Sequence, residues 1–270
     1  MKIAIFCVNF NSYKCLRDYL VSLDNAAAFS KANTILDVYV SDNSTNEEEI
    51  NSTEFRNIKV FVNKLDNLGY LGGAFTSMNS LDLTVRDSYD YIIISNVDVT
   101  VNEDFFKQLS SIRNDTKLAW IAPAIYNVHL NKIASSEWLH RPSVRRIRLY
   151  SFLYAHPFCY YCYWAVSRLK IRALHNHICT EMNIYAGYGS FMIFTKRFIS
   201  LYDKWKYKPF LFGEELFFGE IALANGMEVK YIPSLQVNDI GKVSTGLIGS
   251  KGKLRMQKES MDYLYNEYYK

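Results

Sequence analysis

A carboxylate closing an apolar strand is the side chain in this sequence best placed to do chemistry. Residues 89–100 read YDYIIISNVDVT: an apolar, strand-favouring run that Asn96, Val97 and Asp98 then interrupt. A short continuous apolar run of this kind fits a strand covered on both faces by helices. Open parallel sheets bind ligands beyond the carboxyl ends of their strands. Asp98 could there hold Mg²⁺ or Mn²⁺ in contact with the phosphates of a nucleotide, because these ions take oxygen ligands and leave positions open for substrate. The competing reading makes Asp98 a cap for a following helix over TVNEDFFKQLSSI.

The elements that would position Asp98 recur from the first residues. Ile3 to Val8 is an apolar run ending in Asn9, Phe10, Asn11 and Ser12, and YKCLRDYLVSLDNAAAF after it carries apolar residues at helical spacing. Thr34 to Val40 is a second strand, ending at Ser41, Asp42 and Asn43. Asn57 to Asn63 is a third, followed by a turn holding Asn67, Gly69, Gly72 and Gly73, then a helix. Alternation at this spacing predicts right-handed βαβ units and an α/β fold with a mostly parallel, Rossmann-like sheet flanked by helices. The polar clusters Asn9/Asn11, Asp42/Asn43, Asn63/Asn67 and Asn96/Asp98 then converge on one edge of the sheet. Turn and cap chemistry alone accounts for Asn, Asp and Ser at such places, but the glycines also let backbone approach a ligand closely. Neither GxxxxGK[ST] nor GxGxxG occurs, which weakens the P-loop ATPase and dinucleotide-dehydrogenase readings.

Composition sets the outer bounds. A chain of 270 residues, 49% hydrophobic and 21% charged, suits one large globular domain. The net charge of +4 is too small to argue for nucleic acid. The five cysteines are an odd number, unlike a disulfide framework, and no apolar stretch is long enough for a membrane span or a leader. The expected location is the cytoplasm.

Taken as a set, six segments resemble the family-2 glycosyltransferases of GT-A fold, particularly the bacterial branch with rhamnosyl- and galactofuranosyltransferases. They are IFCVNFN at 5–11, VYVSDNS at 38–44, NKLDNLGYLGGAF at 63–75, SNVDVT at 95–100, GYGSFMIFTKRFI at 187–199 and FLFGEELFFGEIALANGMEVKYIP at 210–233. The resemblance implies that Asp42 contacts the base or ribose of a nucleotide-sugar donor and that the loop from Asn63 through Gly69 and Gly72 lies against base and pyrophosphate. Asn9, Asn11 and Asn96 belong to the same donor site. It makes Asn96-Val97-Asp98 a metal-binding DxD-like motif whose main carboxylate is Asp98. It also assigns Glu214 and Glu215 to catalysis, one of them taking the proton from the acceptor hydroxyl in inverting transfer while Mg²⁺ or Mn²⁺ offsets charge on the leaving diphosphate. On residue type alone, the two glutamates equally suit the N-terminus of a helix. Where the family commonly has a histidine before a Ser-Thr pair, this chain reads QVNDIGKVST at 236–245, leaving Asp239 as a substitute metal ligand and Lys242 as a pyrophosphate contact.

Residues 138–180 interrupt the alternation. They carry Arg141, Arg145, Arg146, Arg148, Arg168, Lys170 and Arg172, many aromatic residues and no acidic one. This pattern fits a segment at an anionic membrane interface, and equally a hydrophobic subdomain with a basic rim. Cys159 and Cys162, with His156, His175, His177 and Cys179 nearby, form a weaker zinc candidate. The expected organisation is a donor-binding half at 1–135, a basic aromatic helical insertion at 136–182, an acceptor and catalytic half at 183–250 and a C-terminal helix at 251–270. The activity implied is transfer of a sugar from dTDP-rhamnose or a UDP-hexose to a cell-surface polysaccharide, such as lipopolysaccharide or capsule, or to its lipid-linked precursor. A nucleotidyltransferase would need a glycine- and basic-rich loop after the first strand, which Asn9-Phe10-Asn11-Ser12 is not. A non-catalytic carbohydrate- or lipid-binding module is the other alternative.

Overall fold

The computed structural model describes residues 1–30, 34–46, 48–112, 115–134, 138–171, 180–241 and 249–270. Strand and helix alternate as expected through the first third: β1 (Lys2–Asn9), α1 (Tyr13–Phe29), β2 (Ile35–Asp42), β3 (Lys59–Lys64), α2 (Tyr70–Asn79), α3 (Leu83–Arg86) and β4 (Tyr91–Asn96). Along β1, Ile3, Ile5 and Cys7 pack with Leu16, Tyr19 and Leu20 of α1, while Ala4 and Phe6 join Leu71, Phe75 and Met78 of α2 on the other face. Successive strand residues point to opposite faces, so a strand covered on both must be apolar throughout. Ile92, Ile93 and Ile94 of β4 are all exposed by 1% or less, and each contributes about 1.5–3 kcal/mol of burial free energy.

Then follow β5 (Val99–Val101), α4 (Phe105–Ser111), β6 (Leu118–Asn127), β7 (Lys132–Ala134), β8 (Met182–Ile184), β9 (Phe191–Thr195), α7 (Lys196–Ile199), α8 (Glu214–Ala224) and β10 (Glu228–Asp239). Among the described residues these strands form one ten-stranded sheet, whose main path runs β3-β2-β1-β4-β9-β6-β10-β5. The parallel part is β3, β2, β1 and β4. Beyond it the sheet is mixed: β9 runs antiparallel to both β4 and β6, β10 is parallel to β6 and antiparallel to β5 and β8. The reversal follows from where β9 begins. The Asn96 N–H donates to the Ser190 carbonyl at 2.8 Å, so the chain enters β9 at the carboxyl edge of β4 and must run back down it.

The insertion is helical, with α5 (Val144–Ala155) and α6 (Pro157–Ile171), and the chain ends in α9 (Ser250–Leu264) and a π-type turn, Tyr265–Tyr269. Helix α5 buries Ile147 and Leu153 and bonds to α9 through Ser151 and Asp262. Arg141 grips the buried Glu220 of α8 with two bonds, 2.9 and 3.0 Å long, and donates to the Tyr268 carbonyl at 3.0 Å. Arg146 lies over the Trp138 ring and Arg148 over Tyr265. Arg141 and Arg148, read as part of a basic rim, therefore tie the insertion to the tail, while Arg146 packs within the insertion. No helix among the described residues is long and apolar enough to cross a membrane. Cys159 and Cys162 lie on α6, whereas His175, His177 and Cys179 fall outside the described residues. No group of three or more His, Cys, Asp or Glu side chains among the described residues is arranged to hold a metal, so the zinc expectation gains no support.

Candidate active site

At the carboxyl edge of the parallel strands the polar clusters interlock. Asn9 donates to Asp42 Oδ1 at 3.0 Å and to Ser44 Oγ at 3.1 Å, and Tyr13 donates to Asp42 Oδ2 at 2.7 Å. Lys64 Nζ lies 3.3 Å from the same carboxylate. Burial pushes the Asp42 pKa up, but the hydrogen bonds from Ser44, Tyr13 and Asn9 outweigh it and hold the carboxyl below its ordinary value. Asn11, in the left-handed region at φ +51°, clamps the loop after β2 by accepting from the N–H groups of Thr45 and Asn46. Asn63 donates to Ser77 Oγ at 3.3 Å.

Next to this network opens a cavity of about 660 Å³, within the size range of small-molecule sites. Of the residues expected from sequence, Gly69, Asn96, Asp98, Glu214, Glu215 and Asp239 line it. Asn9, Asn11, Asp42, Asn63 and Gly72 are not on its wall. Asp42 is committed to the network behind, and its neighbour Asn43 faces the cavity instead. Lys242 lies outside the described residues. Asp98 is no helix cap: β5 intervenes, and α4 starts after Asp104.

Asp98 and Asp239 come together because β5 pairs with the end of β10, Val99 standing opposite Asp239. Their residues are exposed by 7% and 5%. Burial, and then the negative charge of Asp98, push the Asp239 pKa up to about 6. Asp239 Oδ1 is buried without a partner at hydrogen-bond distance, while the Ser190 hydroxyl and the Gly241 N–H stand near enough to Asp239 to draw its pKa partly back. Two close carboxylates with an unsatisfied oxygen are the donor set of a hard divalent cation, which takes one or two carboxylates and completes its shell with phosphate oxygens and water.

Another stretch of the cavity wall is the start of α8. Phe212 and Gly213 both lie in the left-handed region, at φ +73° and +80°. The turn they make sends the Phe212 N–H to Glu214 Oε1 at 2.8 Å. Burial pushes the Glu214 pKa up to about 7 against the pull of that bond. Glu215 accepts from the Gly189 N–H at 3.2 Å, and Tyr70 donates to the Gly189 carbonyl at 2.9 Å. The Tyr70 pKa is raised by burial and then by charges that include Glu214, Glu215 and Asp98, so this phenol stands among all three carboxylates.

Sequence reasoning passed over Asn43, Tyr70, Gly189, Ser190 and Phe212 as site residues, although each sits inside a matched segment. The usable signal was Gly187-Tyr188-Gly189-Ser190 directly before an apolar run, the pattern of a chain brought close to a ligand at a strand start.

No protein-family model matches the chain, and no curated protein matches its sequence. Solved structures do match in three dimensions. S. aureus TarS 1-349 is 12% identical with a TM-score of 0.55, covering 88% of this chain and 60% of that one. The same fragment in complex with UDP-GlcNAc is 11% identical with a TM-score of 0.55, over 99% of this chain and 73% of that one. GalNAc-T7 with UDP, GalNAc and Mn²⁺ is 12% identical with a TM-score of 0.56, over 100% of this chain and 50% of that one. The chain thus spans about 60% of the TarS fragment first matched and half of GalNAc-T7. At such identity the likeness shows the fold: this is an α/β protein of GT-A type, with a mixed sheet, flanking helices and a C-terminal helix.

Proposed function

We propose that the protein is a metal-dependent inverting glycosyltransferase that takes a sugar from a nucleoside diphosphate donor. One observation carries the reading: one cavity at the carboxyl edge of the strands is lined by both the Asp98/Asp239 pair and the Glu214/Glu215 couple. The solved neighbours with UDP-GlcNAc, and with UDP, GalNAc and Mn²⁺, support a UDP-linked hexose as donor class, with dTDP-rhamnose as the other class to be tried.

Asp98 and Asp239 would hold Mg²⁺ or Mn²⁺, which when bound offsets negative charge on the departing diphosphate. Asn43, Asn67 and Gly69 form the wall for the nucleoside, with Asp42 and Asn9 fixing the Asn43 loop from behind. Glu214 takes the proton from the acceptor hydroxyl. Its pKa, pushed to about 7, suits a base working near neutrality, and Glu215, fixed by Gly189, orients the acceptor. The donor half is residues 1–135 and the catalytic half 183–250.

The acceptor we assign is a surface polysaccharide or its lipid-linked precursor, met at the inner face of the cell membrane. Helix α6 supports this, with Phe158 exposed by 81%, Val166 by 58%, Tyr161 by 50% and Trp164 by 43%. Residues 138–180 hold no acidic side chain to repel anionic lipid. The test is release of nucleoside diphosphate from a panel of UDP- and dTDP-sugars with Mn²⁺ and acceptor-bearing membrane extract, with NMR of the anomeric centre. An inverted product that requires Asp98 and Glu214 supports the proposal. Turnover untouched by Asp98→Ala and Glu214→Gln, or a retained configuration, sinks it. Co-sedimentation with phosphatidylglycerol vesicles, lost in Phe158→Glu/Trp164→Glu, tests the membrane contact separately.

A further inference from the structure

The turn in front of Glu214 is held by two hydroxyls, one of them from the far end of the chain. The Phe212 carbonyl accepts from Tyr207 OH at 2.7 Å and from Ser260 Oγ, on α9, also at 2.7 Å. The two hydroxyls lie 3.1 Å apart. Ser260 is fully buried. The fit is close: a β carbon on Gly213 would stand 2.1 Å from Ser260 Oγ and 2.8 Å from Tyr207 OH. On the other side of the same residue, the Phe212 N–H reaches the Glu214 carboxylate. A non-glycine residue at positive φ persists only where its surroundings over-determine it, and here both polar groups of Phe212 are bonded.

We infer that Ser260 and Tyr207 are positioning residues: by holding the Phe212 carbonyl they keep its N–H aimed at Glu214, which makes α9 part of the catalytic apparatus. This rests on the reading of Glu214 as base for its effect on turnover, but not for its effect on the carboxylate itself. The ionisable groups facing Glu214 are Tyr70 from α2, Tyr207 from the preceding loop and Glu215 from its own helix. None of the substitutions used removes a charge from that set.

The experiment is thermal unfolding of the whole chain from pH 5 to 9, for wild type, Tyr207→Phe, Ser260→Ala and the double variant, with Glu214→Gln marking the step that belongs to Glu214. With the clamp intact, stability falls as pH rises through about 7. In the double variant the Phe212 N–H, which pulls the Glu214 pKa down, is no longer held on the carboxylate, and the midpoint of that fall moves up by about one pH unit. Donor turnover should fall about tenfold or more with donor KM within about twofold, the signature of a group needed only in the transition state. A midpoint that stays put while the melting temperature drops uniformly would mean Ser260 and Tyr207 merely pack α9, and would overturn the inference. Should Ser260→Ala fail to fold, Tyr207→Phe, which keeps the ring, decides by the same midpoint. A shifted midpoint with no turnover from any donor would keep the clamp and reject the enzyme reading.

Discussion

The Glu215 carboxylate rests on the Gly189 N–H at 3.2 Å, and there is no room for a side chain beneath it: a β carbon on Gly189 would lie 2.7 Å from Glu215 Oε1. The atom in the way is the tip of a flexible side chain, so Gly189→Ala displaces the carboxylate instead of unfolding the loop. We expect a melting temperature within a few degrees of wild type and turnover reduced about tenfold or more. Steady-state kinetics beside a melting curve check this, and unchanged kcat would show that Glu215 needs no fixed position.

Gly69 gives the opposite outcome. It sits at φ +76°, and a β carbon there would stand 2.0 Å from the Phe210 carbonyl oxygen, which is backbone. Gly69→Ala should therefore cost about 3 kcal/mol or more, beyond the usual range for one substitution. Urea unfolding measures it.

Glu214 should make stability depend on pH. Its folded pKa, about 7, stands above the ordinary carboxylate value, so the folded state binds the proton more tightly. The associated stability is complete below the unfolded pKa and is lost as pH rises through about 7. Glu214→Gln keeps an oxygen for the Phe212 N–H and has no charge to bury. It should therefore melt a few degrees above wild type at pH 8, with the difference vanishing near pH 4. Parallel melting curves of the two proteins at both pH values would exclude a buried, raised carboxyl.

Divalent metal should stabilise the protein through Asp98 and Asp239 together. With UDP present, Mn²⁺ at about 100 times its Kd would add about 2.7 kcal/mol. Asp98→Ala and Asp239→Ala should each abolish the rise in melting temperature caused by Mn²⁺. If both keep it, the metal binds elsewhere.

The Arg141–Glu220 pair should matter to stability, not turnover. Removing one partner of a buried pair costs about 3–5 kcal/mol. Here the Arg141 side chain is 43% exposed while that of Glu220 is 5% exposed, so solvent moderates the loss and Arg141→Ala should cost about 2 kcal/mol. The double change Arg141→Met/Glu220→Gln should recover part of it, because no buried charge is then left alone. Chemical denaturation of the three variants separates these outcomes.

What could be read from the sequence was set by local physics. Strands β1 and β4, buried on both faces, announce themselves as unbroken apolar runs, while β2 carries Asp37 in its middle, and the polar ends of all three lie at the edge where the cavity opens. Glu214 and Glu215 stand out as candidates only because six loosely matching segments keep a family order. Hidden from sequence was everything decided by partners far along the chain. The antiparallel course of β9 depends on where Ser190 meets Asn96. Asp42 looks like Asp98 in sequence, yet Asn9, Tyr13 and Lys64 draw it behind the cavity wall. Arg146 and Arg148 look free in sequence, and only the fold supplies rings for them to cover, Trp138 within the insertion and Tyr265 in the tail.

Because β9, from the latter part of the chain, is threaded between β4 and β6 from the earlier part, neither portion owns a complete sheet. Severing the polypeptide inside the insertion would leave a gap in the middle of the first fragment. The two pieces should then be recoverable only by co-expression, melting as one cooperative unit.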